Sequence, residues 1–246
     1  MRLCFLILFI ISILLDVAFA EKIFFKIAVD DKHYSIFEYS DTNNIVDEIH
    51  FVLGKFQTNI FELNKIKKDF YNILKRPDIK YDGKKLNVYE LSPILKDRFV
   101  NVLWVCENLV VRKEVYDLNG KLLYSYGHSL SIPDNFNDIF VKNSEVQEHM
   151  DNNTITYKGF DLKLLKKLDN NSLHMLFSDG LNNFSIFITT PPINSSEIKK
   201  IVFGNYVFSK NYDNSTYTVV GTIPFEEMEN AINFVKKVSL DKLGGK

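Results

Sequence analysis

The residues of this chain best equipped for chemistry are its five histidines, two cysteines and a single Ser-Asp-Gly triplet. Asp30-Asp31 beside His33 would contribute metal ligands if further donors stood at matched spacing. None do, so the group reads as a solvated helix end. His128 and His174 each lie within an apolar, strand-like run, where an imidazole is more often hydrogen-bonded at a core boundary than a general base. Ser178-Asp179 would be half of a hydrolase dyad. Between two strands, however, Ser-Asp-Gly is first of all a turn: the aspartate accepts from backbone amides and the glycine takes a positive φ. There is no G-x-S-x-G elbow, H-E-x-x-H pair, phosphate loop or G-x-G-x-x-G. The sequence therefore nominates no catalytic residue and no metal ligand, implies no cofactor, and points away from an enzyme.

Composition narrows the class without naming an activity. The 246 residues are 46% hydrophobic and 14% aromatic, which excludes a disordered or collagenous chain and supplies a large core. With 30 basic against 31 acidic residues there is no overall positive field to hold nucleic acid. Arg2, the apolar run Leu3–Leu15 and Ala18-Phe19-Ala20 have the grammar of a signal peptide cleaved after Ala20. A bilayer span needs about 20 apolar residues, and Asp16 interrupts this run. Cys4 falls in that leader. Cys106 sits among apolar neighbours and is expected to be buried.

The elements that would position any site are mostly strands. Glu21–Asp31 is expected to form a short amphipathic helix. Strands are expected at Tyr34–Tyr39, Ile45–Leu53 and Phe56–Leu63, and helical spacing at Lys65–Lys75 is ended by Pro77. A turn at Tyr81–Lys84 leads into a strand at Leu86–Leu91. Phe99–Cys106 and Leu109–Tyr116 follow, and Asn119-Gly120 makes a hairpin with Lys121–Ile132. In that last run Leu122, Tyr124, Tyr126, His128, Leu130 and Ile132 share one parity, opposite a serine-rich one, predicting one buried and one solvated face. Residues 133–153 are polar and read as a linker. Beyond it come strands at Phe160–Leu165, Ser172–Ser178, Phe184–Thr190, Lys200–Phe208 and Ser215–Thr222. A helix over Pro224–Val238 has a buried stripe of Phe225, Met228, Ile232, Val235 and Val238.

At His174–Leu181 followed by Phe184–Ile188 the chain resembles the "H…SDGL…SVFIE" signature of the MucB/RseB family, periplasmic regulators of the envelope-stress sigma factor. Gly221-Thr222-Ile223-Pro224 is similar to the family's "GEVP" segment, Ser35–Tyr39 to its "GxFxY" strand, and Leu103-Trp104 to its "LWLD" region. Thr222 and Thr189 stand where the family has Glu, and Tyr157–Phe160 lacks the proline of "LPxGF".

The resemblance implies an α+β chain in three parts after a signal peptide at 1–20. Residues 21–132 would form a curved, unclosed antiparallel half-barrel like that of the lipoprotein carriers LolA and LolB. Residues 133–153 would link it to a smaller α+β domain with a C-terminal helix at 154–246. It further implies a periplasmic protein that binds the periplasmic domain of a membrane-bound anti-sigma factor, displaceable by envelope lipid or lipopolysaccharide. A periplasmic lipid or lipoprotein carrier is the alternative, and self-association into a homo-oligomer is left open. A concave apolar face would hold a peptide or acyl chain on Phe37, Tyr39, Phe51, Trp104, Tyr124 and Tyr126. Core packing is the competing reading for each of these six. Ser178, Asp179, Gly180 and Leu181 are expected to form a structural turn.

Overall fold

Strand-forming runs separated by turn residues build two sheets. The structure is a computed structural model in which residues 23–30, 32–39, 66–81, 84–106, 108–128, 155–168, 172–193 and 196–238 are described. The signal peptide, the expected strands at Ile45–Leu53 and Phe56–Leu63, Phe51 and the linker 133–153 lie outside the described residues. No described helix is long and apolar enough to cross a membrane.

The first sheet contains β1 (Ile23–Ala28), β2 (Tyr34–Tyr39), β3 (Tyr71–Tyr81), β4 (Lys84–Pro93), β5 (Val100–Cys106), β6 (Leu109–Tyr116) and β7 (Leu122–His128). Its order is β2-β1-β7-β6-β5-β4-β3, with antiparallel neighbours throughout. The second contains β8 (Thr156–Tyr157), β9 (Phe160–Lys167), β10 (Ser172–Ser178), β11 (Asn183–Thr189), β12 (Ile198–Val202), β13 (Asn205–Tyr212) and β14 (Ser215–Gly221). Its order is β12-β13-β14-β11-β10-β9-β8. Neither order returns to its start, so both sheets are open, as expected of an unclosed antiparallel sheet followed by an α+β unit. The expected Asn-Gly hairpin joins β6 to β7: Gly120 has φ 80°, and Asp117 Oδ1 accepts from the Asn119 and Lys121 amides at 2.9 Å each.

The terminal helix α1 (Phe225–Lys237) starts after Pro224 and carries Glu226 and Glu227 in its first turn and Lys236 and Lys237 in its last. That arrangement complements the helix dipole. Met228, Ala231, Ile232 and Val235 are buried in a cluster with Phe177, Phe184, Ile186, Phe208 and Val219, while Phe225 and Val238 pack at its margin. The cluster draws only on residues of the second sheet and its helix.

Four expectations are corrected. The expected helix over Glu21–Asp31 is replaced, in its described part, by a strand: Ile23–Ala28 lies between β2 and β7, where Ile and Phe fit a pleated surface. Lys65–Lys75 gives only a 3₁₀ turn at Lys68–Phe70 before β3, which runs through Pro77. Proline is tolerated there because β3 is an edge strand, and its register with β4 shifts between Arg76 and Ile79. Lys200–Phe208 is not one strand but the turn of a hairpin, with Phe203 at φ 45° and Gly204 at φ 69°. Finally, β7 has no solvated face: Leu123 and Ser125 are as buried as Tyr124 and Tyr126. A Cβ on Gly204 would stand 3.0 Å from the Leu123 carbonyl oxygen, so the second sheet's β12–β13 turn closes over this strand. Alternation reports which face tolerates water, and a later element covers it anyway.

Candidate functional site

Among the described residues, the largest assembly of buried charge lies where the tip of the β10–β11 hairpin meets the first sheet. Its scaffold is the turn read from the sequence. Asp179 Oδ1 accepts from the amides of Leu181 (2.9 Å) and Asn182 (2.8 Å), and Gly180 has φ 94°. Ser178 Oγ accepts from the Gly180 amide at 3.1 Å. The aspartate's other oxygen leaves the hairpin: Asp179 Oδ2 accepts from Tyr71 Oη and from Arg98 Nη1, both at 2.6 Å.

Arg98 is wholly buried. Its Nε and Nη2 donate to the two carboxylate oxygens of Asp97 at 2.9 and 3.0 Å, and Nη2 also donates to the Lys158 carbonyl at 2.6 Å. The guanidinium lies 4.6 Å from the Phe70 ring centroid and 4.3 Å from that of Phe160, one ring from each sheet's side of the seam. Burial opposes its charge, yet the hydrogen bonds of Asp97 and the surrounding negative groups outweigh it and raise the Arg98 pKa. Burial, then Asp179, holds the Tyr71 phenol well above its ordinary pKa.

Further polar contacts extend the seam. Asn182 Nδ2 donates to Tyr71 Oη (2.9 Å) and to the Phe99 carbonyl (3.0 Å). Lys113 Nζ donates to the Leu181 carbonyl at 2.9 Å, and burial pulls its pKa down to about 8. Lys67 Nζ donates to the Gly159 carbonyl (2.6 Å) and the Asp161 carboxylate (2.9 Å). Tyr206 Oη donates to Asp117 Oδ2 at 2.8 Å, and the Gly204 amide donates to the Ala28 carbonyl at 2.7 Å. Leu181 enters an apolar cluster whose other buried members, Tyr71, Leu91, Leu103, Val105 and Val110, belong to the first sheet.

The aromatic residues expected to share a concave face do not all do so. The pairing register runs Tyr89–Leu103–Lys113–Tyr126–Phe25–Phe37 across one face, with Tyr124 two residues on and Tyr39 at the same parity as Phe37. Trp104 pairs with Val88 and Arg112 and so faces the other way, partly buried, with the Arg112 guanidinium 4.6 Å from its ring centroid. Tyr124 and Tyr126 are buried, and burial pushes both phenols up. Only the backbone positions of Phe37 and Tyr39 are described.

Histidine and cysteine take structural places. His174 Nε2 pairs with Ser185 Oγ at 2.9 Å and its ring stacks on Phe187 at 4.4 Å; burial, then Lys166, lowers its pKa. Asp30 accepts from the Lys32 and His33 amides and from the His33 ring, closing the β1–β2 turn. Cys106 is buried with Leu86 and Val111. Among the described residues no three His, Cys, Asp or Glu side chains are grouped to hold a metal.

Sequence reasoning found the Ser178–Leu181 turn but missed Tyr71, Asp97, Arg98, Lys113 and Asn182. One signal was available: Lys113 stands between Val111 and Val115 at the apolar parity of its strand. Asp97-Arg98, by contrast, reads like any charged loop.

Neither a family profile nor a curated protein sequence matches the chain. Solved structures do. A chain of the Pseudomonas aeruginosa MucA/MucB complex is 14% identical, covers 85% of this chain over 90% of its own length, and superposes with a TM-score of 0.56. MucB in complex with MucA(peri) gives 0.55 at the same identity and coverage. MucB crystallised on its own gives 0.51, over 88% of its length. With both sheets and the terminal helix in place, the chain has a MucB/RseB-like fold.

Proposed function

We propose that this chain is a periplasmic regulatory binding protein that engages the periplasmic segment of a membrane-bound anti-sigma factor. The observation that carries this reading is the two-sheet fold shared with MucB, a protein solved in complex with MucA(peri), over 85% of the chain. The seam fits a binding role better than a catalytic one. Asp97, Arg98 and Asp179 are buried and paired with one another, and Lys113 is buried against a backbone carbonyl, so none of these four groups is presented to a substrate as a nucleophile or base. An envelope lipid as displacing ligand belongs to the same reading and rests on the sequence resemblance, while cleavage after Ala20 and a domain boundary within 133–153 rest on the leader's apolar run and the polarity of that stretch.

Cross-linking in intact cells followed by recovery of the tagged protein tests it. The expected product is a single-span membrane protein whose cytosolic domain binds a sigma factor. Recovery of soluble enzymes alone, or of nothing across a range of salt, overturns the reading. Native mass spectrometry of the same preparation reports any retained acyl chain.

A further inference from the structure

Each sheet has its own apolar core, and beside the Phe99–Tyr206 ring contact at 4.9 Å and the Leu181 side chain they are joined by a network of buried polar groups. The cluster behind Phe177 and Phe184 contains no residue of the first sheet. Of the buried residues in the cluster around Leu103, Leu181 alone comes from the second. The seam is instead built from Arg98, Lys113, Tyr71 and Lys67 donating to Asp179, Asp161 and the carbonyls of Lys158, Gly159 and Leu181. The first sheet contributes two buried cations, Arg98 and Lys113, against one buried carboxylate beside them, Asp97. The second contributes the balancing charge, Asp179. A buried ion pair of this kind gives geometric specificity at little net gain, because desolvation offsets much of the Coulombic attraction. An interface held this way separates more readily than one held by a continuous apolar core.

We infer that the Arg98–Asp179 pair is a latch: it fixes the two sheets in one arrangement, and its loss frees them to move relative to each other while each stays folded. The geometry gives Asp179 two separable duties, since Oδ1 closes the hairpin turn and Oδ2 reaches across the seam. Asp179→Asn keeps an oxygen for the two turn amides but presents an NH₂ that cannot accept from Tyr71 or Arg98. The hairpin is thereby preserved while the latch is cut. The inference concerns the chain's own conformations and holds whichever partner the protein binds.

The test places spin labels at two exposed positions, Lys80→Cys in β3 and Asn233→Cys in α1, and measures their distance distribution in the full chain by double electron–electron resonance. Hydrogen exchange at strand amides of Leu103, Val115, Phe184 and Ile186 is followed in parallel. The expected result is a single narrow distribution in the parent. Asp179→Asn and Arg98→Met should each broaden it, and the double variant should add little to either. Arg98→Lys, which keeps the charge but not the fork, should fall between. Strand protection should remain in all of them. A distribution as narrow in Asp179→Asn as in the parent overturns the latch. So does loss of protection in both sheets together, which would make the pair part of one cooperative core.

Discussion

Gly159, in the turn between β8 and β9, lies so close to Phe70, in the 3₁₀ turn before β3, that a Cβ built on it would collide with the ring's Cε2 atom. The ring cannot easily retreat, because the Arg98 guanidinium lies 4.6 Å from its centroid. Gly159 also has φ 81°, a region L-residues reach only at a cost. Gly159→Ala should therefore destabilise the protein by about 2–4 kcal/mol, combining backbone strain with overpacking. Adding Phe70→Leu should return the overpacking part and leave the strain. Urea midpoints of the two variants measure this, and a neutral Gly159→Ala would contradict the packing described.

Gly180 presents the opposite case. Its φ is 94°, but an added Cβ meets nothing within 4 Å. The cost of Gly180→Val is thus backbone strain alone, about 1–3 kcal/mol, and Gly180→Asn should cost less. The damage should not stay in the second sheet, because Leu181 and Asn182 carry the hairpin's contacts to Tyr71, Phe99 and Lys113. Limited proteolysis of the valine variant should show cleavage on both sides of the seam. Ser178→Ala removes an acceptor for the Gly180 amide and a long 3.5 Å donation to the Asn182 carbonyl, and should cost under about 1 kcal/mol.

Lys113 gives the seam a pH dependence of definite sign. Folded, it releases its proton near pH 8; unfolded, near its ordinary value of 10.5. Between those values the unfolded chain binds more protons, so stability rises with pH across that window, by roughly 3 kcal/mol at most. Lys113→Met should abolish this rise. Denaturation of both proteins at pH 7, 8, 9 and 10 isolates the effect, since the tyrosines titrate in each. A difference that does not grow in favour of the parent above pH 8 would refute the assignment.

Phe203 is 58% exposed yet holds a φ of 45° at the tip of the β12–β13 hairpin. A bulky residue is poorly suited to that backbone. Phe203→Asn should stabilise the chain by about 0.5–1 kcal/mol, seen as a higher urea midpoint at unchanged slope. A loss of stability would mean that the phenyl ring packs to greater effect than its exposure suggests.

Local chemistry was legible in the sequence wherever one residue type dictates one backbone geometry. Asn119-Gly120 and Asp179-Gly180 specified their turns because Gly takes positive φ freely and Asp accepts from nearby amides. Pro224 and the acidic first turn specified where α1 begins, and the spacing of Met228, Ile232 and Val235 specified its buried face. The resemblance carried by the Ser178–Leu181 motif gave the fold, and the match to MucB agrees with it.

Tertiary structure decided what depends on pairing between distant segments. Ile23–Ala28 has a helical spacing of apolar residues, but β7 and β2 on either side make it a strand. Lys65–Lys75 yields to β3 because an edge position accepts Pro77. The aromatic residues named from alternation could be assigned a parity but not a common face, since whether Trp104 and Tyr126 point together depends on strand register, which sequence alone leaves undetermined. The seam was the least legible part. Arg98 and Asp179 are separated in the chain by β5–β7 of the first sheet, the linker and β8–β10 of the second, and nothing in either's neighbours marks it as buried. Their pairing is a consequence of two independently cored sheets being brought together, and only the folded chain supplies the desolvated space in which a guanidinium requires a carboxylate.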